Sequence, residues 1–268
     1  MDTKKYFDAN KDSWNKRTPV HKASAFYGLD DFKQGTTSLN KTELEELGDV
    51  QGKHLLHLQC HFGMDTLSWA REGALVSGVD FSEEAIATAR QLAEELQLPA
   101  TFICSNVYDL LNHKELAGKF DIVFTSYGVI GWLPDLDKWA SVITYLLKPG
   151  GVFYIAEFHP VVWMLDEQFN YIKYYYHNAE IIEEDLTGTY TDRDAPIAYK
   201  NYTWNHSLSE IINALIRHRC RILHFNEFSY SHFNCFDRLE QGADKNWRVK
   251  GLEDKLPMMF SLKALYEP

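Results

Sequence analysis

The sequence predicts an α/β fold in which helices cover both faces of a parallel β-sheet. Two observations support this prediction. Residues 53–158 alternate between short apolar runs and helical patterns, the order in which a parallel sheet and its crossover helices are built. The apolar runs, such as A-L-V-S-G-V-D-F at residues 74–81, lack sustained polar alternation, as strands covered on both faces do.

Five strands are predicted in this region, at Lys53–Gln59, Ala74–Phe81, Thr101–Asn106, Phe120–Tyr127 and Gly151–Phe158. Between the second and third strands, Ser82 is a candidate N-cap for a helix with two acids in its first turn, where the helix dipole favours them. Another helix is predicted to open at Leu133-Pro134 and to end before the Lys148-Pro149-Gly150-Gly151 segment.

Residues 159–206 are dense in aromatic and acidic side chains, and we interpret them as a β-ribbon insertion. The stretches Y-I-K-Y-Y-Y-H (171–177) and A-E-I-I-E-E-D (179–185) flank a turn-like His177-Asn178, so the tyrosines are expected on a half-buried ribbon. The acidic run is expected to face solvent. The segment is too short to bury a core of its own, which argues against a separate domain.

Helical and strand patterns resume after the insertion. Ser207 and Glu210 have the spacing of a capping box at the start of a helix, and strands are predicted at Arg221–Phe228 and Met258–Tyr266. We therefore interpret residues 1–268 as a single domain. Its parts are a helical lead-in (1–50), a core (51–158 and 207–268) and the ribbon insertion (159–206).

Composition limits the possible partners. The chain has 268 residues with 27 Lys and Arg against 38 Asp and Glu, a formal net charge of −11, which disfavours a phosphate backbone as ligand. No apolar run is long enough to span a bilayer, and the first twenty residues are too charged for a signal peptide. A cytoplasmic protein that acts on a small molecule, with neither nucleic acid nor membrane as partner, is expected. The sequence does not indicate an oligomeric state.

Chemistry-bearing residues follow the predicted strands. The first strand runs into L-L-H-L-Q-C-H-F-G-M-D (55–65), a turn that leads into a short helix, where backbone amides converge on a ligand. Asp80 ends the second strand, seventeen residues after Gly63, where a carboxylate can accept hydrogen bonds from both hydroxyls of a ribose. Asn106 ends the third strand and Ser126-Tyr127 the fourth. The four positions together predict a crevice for an adenosine-containing cofactor.

This order of motifs, with F-D-I-V at residues 120–123 and L-K-P-G-G at 147–151, resembles the class I S-adenosylmethionine-dependent methyltransferases. The resemblance implies a Rossmann-like, doubly wound, mostly parallel seven-stranded sheet with an antiparallel last strand. It also implies methyl transfer from S-adenosyl-L-methionine to a small-molecule acceptor, leaving S-adenosyl-L-homocysteine. The cofactor-binding residues that it implies are Gln59, Cys60, His61, Gly63, Asp80, Phe81, Asn106, Val107, Ser126 and Tyr127.

The first loop departs from the pattern of that family. His57 stands in place of the usual acid, and Gln59 and His61 stand in place of the first two glycines, so that only Gly63 remains. Glycine permits a positive φ or a close approach of the cofactor. Gln59 and His61 are therefore expected either to adopt ordinary dihedral angles or to contact the cofactor with their side chains. A subgroup of bacterial methyltransferases has a similar L-x-L-Q-C-H-x-G stretch.

A metal site is not predicted, although His54, His57, Cys60 and His61 lie close in sequence. Residues three apart on a strand point to opposite faces, so His54 and His57 do not converge. His57 is better interpreted as a buried, hydrogen-bonded histidine of the core.

Candidate catalytic residues lie where the cleft opens. In-line methyl transfer depends mainly on positioning in a water-poor site, but an acceptor that loses a proton needs a base. His159, after the fifth strand, is the candidate general base, and Tyr127 is a second candidate. Trp132 is a further candidate at the opening of the cleft, and Trp14 or His21 of the lead-in is expected to fold over the site as a lid.

Two other functions stay open at this point. A nicotinamide-dependent oxidoreductase of the Rossmann type also uses a loop after the first strand and an acid after the second, although residues 59–63 lack G-x-G-x-x-G spacing. A non-catalytic nucleotide-binding module would keep the fold with a closed cleft. Binding of S-adenosylmethionine, its demethylated product or NAD distinguishes the three.

Overall fold

The computed structural model describes residues 3–268, in which strands and helices alternate as predicted. The helices are α1 (Lys4–Ala23), α2 (Leu29–Lys33), α3 (Lys41–Leu47), α4 (Met64–Arg71), α5 (Glu83–Glu95), α6 (Leu136–Leu146) and α7 (Leu208–Arg217). The strands are β1 (His54–Leu58), β2 (Leu75–Asp80), β3 (Ala100–Cys104), β4 (Phe120–Ser126), β5 (Leu147–Phe158), β6 (Ile182–Thr187), β7 (Ala198–Thr203), β8 (Cys220–Phe228), β9 (Leu239–Gln241), β10 (Trp247–Val249) and β11 (Met259–Tyr266).

One seven-stranded sheet has the order β3-β2-β1-β4-β5-β11-β8. Strands β1 to β5 pair in parallel, whereas β11 runs antiparallel to both β5 and β8. The predicted mostly parallel, doubly wound sheet with an antiparallel last strand is confirmed. The strand order reverses between β1 and β4, and their carboxyl ends open the crevice in which open α/β sheets bind ligands.

Both faces of the sheet are packed, because the strands carry apolar side chains in both directions. On one face, Trp139 and Ile143 of α6 pack against Phe153 and other sheet residues, all without solvent exposure. On the other face, Trp69 of α4 packs edge-on against Phe124. This burial of large apolar side chains fixes the strand ends that surround the crevice.

Local sequence signals set most helix starts. The Ser82 hydroxyl accepts from the Ala85 amide, and Ser207 forms the predicted capping box with Glu210. The predicted start of the helix at Leu133-Pro134 is wrong: α6 begins at Leu136, because the Asp135 side chain accepts from the Lys138 amide and caps it.

The insertion contains a ribbon, but not where the tyrosines predicted it. Strands β6 and β7 pair antiparallel, with Ile182 opposite Thr203, while residues 171–177 form no strand. Tyr171 and Tyr175 are mostly exposed, and the stretch makes a single antiparallel bridge, between Ile172 and Leu165, instead of a ribbon. The acidic run lies in β6 instead, where Lys200 pairs with Glu183 and Asp185.

Helix α1 lies across the ribbon, and Asn10 exchanges two hydrogen bonds with the backbone of Tyr202. A second small sheet, β9 and β10, was not predicted. Among residues 3–268, no helix combines the length and the apolar character needed to cross a membrane.

Candidate active site

A cavity of about 870 Å³ opens at the carboxyl ends of β1, β2 and β4. A volume of this order holds a drug-sized ligand. Ten of the sequence-predicted residues line it together: Gln59, Cys60, His61, Gly63, Asp80, Phe81, Asn106, Val107, Ser126 and Tyr127. The sheet topology explains the convergence, since each residue lies at or just beyond the end of a parallel strand.

The loop after β1 keeps a glycine-like backbone without the glycines. Gln59 and His61 have φ values of 55° and 50°, in the left-handed region that ordinary residues rarely adopt, which excludes the first of the two alternatives, ordinary dihedral angles. Each such residue costs roughly 1–2 kcal/mol. The side-chain Nε2 of Gln59 donates to the Val129 carbonyl over 3.1 Å, and this hydrogen bond connects the loop to the one after β4. The side-chain oxygen of Gln59 is buried and has no hydrogen-bond donor among residues 3–268.

Gly63 is the position in this loop where no side chain fits. Its φ is +82°, and an added Cβ would lie 2.8 Å from the ring of Phe102 and 3.0 Å from the Cβ of Ala89. The residue precedes α4, so the loop passes close to β3 and α5 before the helix begins. The remaining glycine of the motif therefore serves close packing as well as the turn.

Asp80 holds the loop and faces the cavity. One carboxylate oxygen accepts from the His61 amide and the other from the Ser82 amide, each over 2.9 Å. Burial raises the pKa of Asp80 to about 6, against the hydrogen bonds that lower it. A carboxylate has about four lone-pair sites, so two backbone amides leave acceptor capacity for a ligand.

Residues that follow β2 and β3 form the neighbouring wall. Phe81 lines it beside Asp80, and Val107 is buried within it. The side-chain oxygen of Asn106 accepts from the Tyr108 amide and caps a 3-10 helix, which leaves its NH₂ group available as a donor. Donor and carboxylate therefore occupy adjacent strand ends.

A polar cluster under the cavity was missed by the sequence analysis. Asp65 accepts from Ser38 over 2.6 Å and from Ser126 over 2.9 Å, and burial raises its pKa. His57 is buried and contacts Thr66 over 2.9 Å and Ser126 over 3.2 Å, which confirms its place in the core. Asp65 stood in the motif stretch, but only the fold shows that its carboxylate turns to the end of β4.

Tyr127 lines the wall with its ring, which packs 4.7 Å from the ring of Phe233, centroid to centroid. Its hydroxyl is directed to α3, where the Asn40 amide lies 3.4 Å away and Glu43 is adjacent. Burial, with Glu43 nearby, raises the pKa of Tyr127 well above its ordinary value. The phenol therefore stays protonated at neutral pH.

The loop after β4 is held by one buried acid. Glu157 accepts from the backbone amides of Gly128 (2.5 Å), Val129 (2.7 Å), Ile130 (3.1 Å) and Phe158 (2.6 Å). Four amide donors compensate the cost of burying the carboxylate. Glu157 fixes the segment that carries Trp132 into the cavity wall.

His159 does not join the cavity. Its ring is 3% exposed, its Nε2 lies 2.9 Å from Glu227 on β8, and its Nδ1 accepts from the Val161 amide. The chain turns away from the cavity after Phe158, which lines the wall in its place. The structure therefore does not bring the predicted general base to the site.

The cavity is covered by three segments that are distant in sequence. Helix α1 contributes Trp14, one of the two residues expected there, and Arg17, which was not predicted; the insertion contributes Tyr190 and Tyr199. Residues 229–257, which were assigned to the core without a predicted helix or strand, contribute Phe233 and other side chains.

His21 joins the cover to the first loop rather than lining the cavity. Its Nδ1 lies 3.0 Å from the Nε2 of His61, and its ring stacks on Tyr27, whose hydroxyl bonds Tyr190. Burial lowers the pKa of His21 to about 2 and that of His61 to about 3, so both rings are neutral. Among residues 3–268, no group of three His, Cys, Asp or Glu residues is arranged to hold a metal ion.

The sheet order, the loop after β1 and the acid that ends β2 fit the Rossmann-like α/β fold that the sequence resemblance implies. Comparison with known proteins agrees. Residues 56–153 match the model of the family described as "Methyltransferase domain". The matched segment runs from β1 into β5 and includes the loop after β1 and Asp80.

Individual relatives match less than the whole chain. The ubiquinone biosynthesis O-methyltransferase of Coxiella burnetii (strain RSA 493 / Nine Mile phase I) is 28% identical over 155 residues, or 57% of this chain and 59% of that protein. The chain thus spans somewhat more than half the length of that relative.

Two solved structures share the fold. An S-adenosylmethionine-dependent methyltransferase from Clostridium acetobutylicum has a TM-score of 0.57 at 14% identity, over 97% of this chain and 99% of that chain. The geranyl diphosphate C-methyltransferase of Streptomyces coelicolor, in complex with Mg²⁺, geranyl diphosphate and S-adenosyl-L-homocysteine, has a TM-score of 0.54 at 13% identity. It covers 84% of this chain and 76% of that chain.

Proposed function

We propose that this protein transfers a methyl group from S-adenosyl-L-methionine to a small-molecule acceptor. The observation that carries the proposal is the position of Asp80, whose carboxylate ends β2 in the cavity wall beside the loop after β1. The family match and the methyltransferase fold of the solved neighbours support it.

The residues of the cavity fit the parts of this cofactor. Asp80 has the acceptor capacity to bind ribose hydroxyls, and the NH₂ group of Asn106 can donate to an adenine edge. The buried side-chain oxygen of Gln59 has no donor within the described residues, which suits the ammonium group at the other end of the cofactor. Cys60, His61, Gly63, Phe81, Val107 and Ser126 complete the proposed binding surface.

When bound, S-adenosylmethionine supplies a methyl group on a positively charged sulfur. The chain itself contributes position and dryness, because aromatic side chains from the three cover segments exclude water above the strand ends. His159 lies outside the cavity and is therefore not proposed as a base. Tyr127, still protonated at neutral pH, is proposed to shape the acceptor side rather than to remove a proton.

Other expectations from the sequence remain proposals. Residues 1–50 and 159–206 are proposed as the parts of a single domain that cover its cleft. A cytoplasmic location, and an acceptor that is neither nucleic acid nor membrane, rest on composition alone. The nicotinamide alternative lacks both the glycine spacing and the family match.

Calorimetry tests the proposal. Wild-type protein should bind S-adenosylhomocysteine with a micromolar Kd and show no heat with NAD. Release of S-adenosylhomocysteine from S-adenosylmethionine in a panel of small acceptors then tests turnover. Binding without turnover on any acceptor would favour the non-catalytic module, and binding of NAD alone would favour the oxidoreductase.

A further inference from the structure

Arg17 is a charged side chain inside the cavity for which the fold supplies no opposite charge. The residue is 7% exposed and lines the cavity from the middle of α1. Within residues 3–268 no carboxylate forms an ion pair with it, and its polar partner is the neutral hydroxyl of Tyr199, 2.9 Å from Nη2. Its Nε is buried without any acceptor.

The surroundings hold the guanidinium in place rather than neutralise it. The guanidinium carbon lies 5.1 Å from the ring centroid of Trp14, 5.6 Å from that of Trp132 and 4.4 Å from that of Tyr199. The Tyr199 hydroxyl donates to the Gly188 carbonyl, so it can only accept from Arg17. Aromatic faces return part of the cost of burying a cation, but an unpaired buried charge remains expensive.

Four of the carboxylates that line the cavity have hydrogen-bond or ion-pair partners. Asp80 and Asp65 accept two hydrogen bonds each, Glu184 accepts from Tyr174, and Asp237 pairs with Arg193. Arg17 differs from these four because it has one polar partner and a buried Nε for which the described residues supply no acceptor. A planar guanidinium with free N–H groups matches a carboxylate, which it can bind through two parallel hydrogen bonds.

We propose that Arg17 is the receptor for a carboxylate group of a ligand in this cavity. The inference rests on the proposed function, because it assigns the ligand to the same site. Two sources share this chemistry: the carboxylate of the cofactor's amino-acid end, and a carboxylate on the methyl acceptor. On one side, Arg17 packs on Trp14, whose ring contacts His61 of the first loop. On the other side, Arg17 donates a hydrogen bond to Tyr199 of the ribbon.

The first arm of the test separates the cofactor's carboxylate. S-adenosylhomocysteine and 5′-methylthioadenosine share the nucleoside thioether, but only the former carries the amino-acid end. If Arg17 binds that carboxylate, Arg17→Gln weakens the binding of S-adenosylhomocysteine by about 30- to 100-fold, as measured by calorimetry. The affinity for 5′-methylthioadenosine should change by less than about twofold.

The second arm uses benzoate and benzamide as probes, with and without saturating S-adenosylhomocysteine. If Arg17 binds the acceptor, the wild type prefers benzoate by about tenfold or more, Arg17→Gln abolishes the preference, and S-adenosylhomocysteine affinity is unchanged. The matched control is Lys16→Gln. Lys16 neighbours Arg17 and also contacts the ribbon, at the Ala198 carbonyl, but lies outside the cavity wall, so both ratios should stay at wild-type values.

The proposal is overturned if Arg17→Gln changes neither ratio in folded protein. Should Arg17→Gln fail to fold, Arg17→Lys carries the same test, because it keeps the charge and loses the two-pronged geometry. An intermediate loss of about tenfold in one arm is then expected, and wild-type ratios in both arms would reject the proposal. Failure of wild-type protein to bind S-adenosylhomocysteine would instead count against the proposed function, and the benzoate comparison would still report on Arg17.

Discussion

The two sides of the cavity are built in different ways. The cofactor side consists of loops that directly follow β1, β2, β3 and β4, and its polar groups bond mostly to nearby backbone, as Asp80 does to His61 and Ser82. The cover consists of side chains from α1, the ribbon and residues 229–257. Its contacts are aromatic and join segments more than 150 residues apart, such as Tyr27 and Tyr190.

The difference shows which features are tied to the fold and which can vary with the ligand. The cofactor side cannot change without disturbing the sheet, because its residues sit where strands end. The cover can change its side chains while the sheet stays intact. Substitutions on the first side should therefore alter stability and cofactor affinity, whereas those on the cover, with the exception of Arg17, should alter binding of the acceptor.

The largest effect is expected at Gly63. Gly63→Ala adds a Cβ at 2.8 Å from Phe102 in a left-handed backbone and should lower the free energy of unfolding by about 3 kcal/mol. Gly150→Ala is the matched control, since Gly150 has a similar φ of +76° with nothing within 4 Å of its Cβ position. It should cost about 1 kcal/mol. Equal losses in urea denaturation would show that packing against β3 is not what requires Gly63.

The next effect concerns cofactor affinity. Asp80→Asn keeps the size of the side chain and replaces a charged acceptor by a neutral one. The Kd for S-adenosylhomocysteine should rise by about 100-fold, because hydrogen bonds to charged groups are worth roughly 1.5–3 kcal/mol each. Unchanged affinity in calorimetry would remove Asp80 from the proposed ribose site.

The neutral histidines predict an acid-sensitive fold. The pKa of His21 is about 2 in the folded protein and near 6.5 when unfolded, so the unfolded state takes up the proton first. The stabilisation is present above pH 6.5 and is lost as pH falls, by about 2 kcal/mol at about pH 5. His21→Phe should reduce this loss by the same amount, when the free energy of unfolding is measured in urea above pH 6.5 and at about pH 5. An identical pH dependence would show that the ring of His21 is accessible to protons when folded.

A smaller pH effect is expected in binding. Burial raises the pKa of Asp80 to about 6, so its ionised form declines as pH falls through that value. Affinity for S-adenosylhomocysteine should fall by about tenfold from about pH 7 to about pH 5, because the ionised carboxylate is the better acceptor. Asp80→Asn should have a flatter profile; if its profile matched the wild type, another group would control the pH dependence.

The smallest effect is expected on the cover. Phe233 packs on Tyr127 and lines the cavity. Among the described residues, its ring makes no aromatic contact with the loop after β1. Phe233→Leu should leave S-adenosylhomocysteine affinity within about twofold of wild type while lowering turnover of an acceptor. A cofactor affinity reduced by tenfold would mean that the two sides of the cavity are not separable.

The sequence by itself determined the sheet and the positions of the cofactor-side residues. Strand and helix patterns reach over only a few residues, and parallel strands bring their carboxyl ends to one edge, so the motif residues must converge. Helix caps were also local, and the caps Ser82 and Ser207 were predicted. The start of α6 was misplaced because Asp135 caps the helix, whereas the prediction used Pro134 as its start signal.

Only the tertiary structure decided the left-handed backbone of Gln59 and His61, the exclusion of His159, the pairing of β6 with β7 and the unpaired charge of Arg17. Each depends on partners far away in the chain. An aromatic-rich stretch does not specify which strand it pairs with, and a histidine after a strand does not specify which way its loop turns. Long-range packing supplied those answers, and it placed the cover of the cavity, the proposed acceptor side, where no local pattern could indicate it.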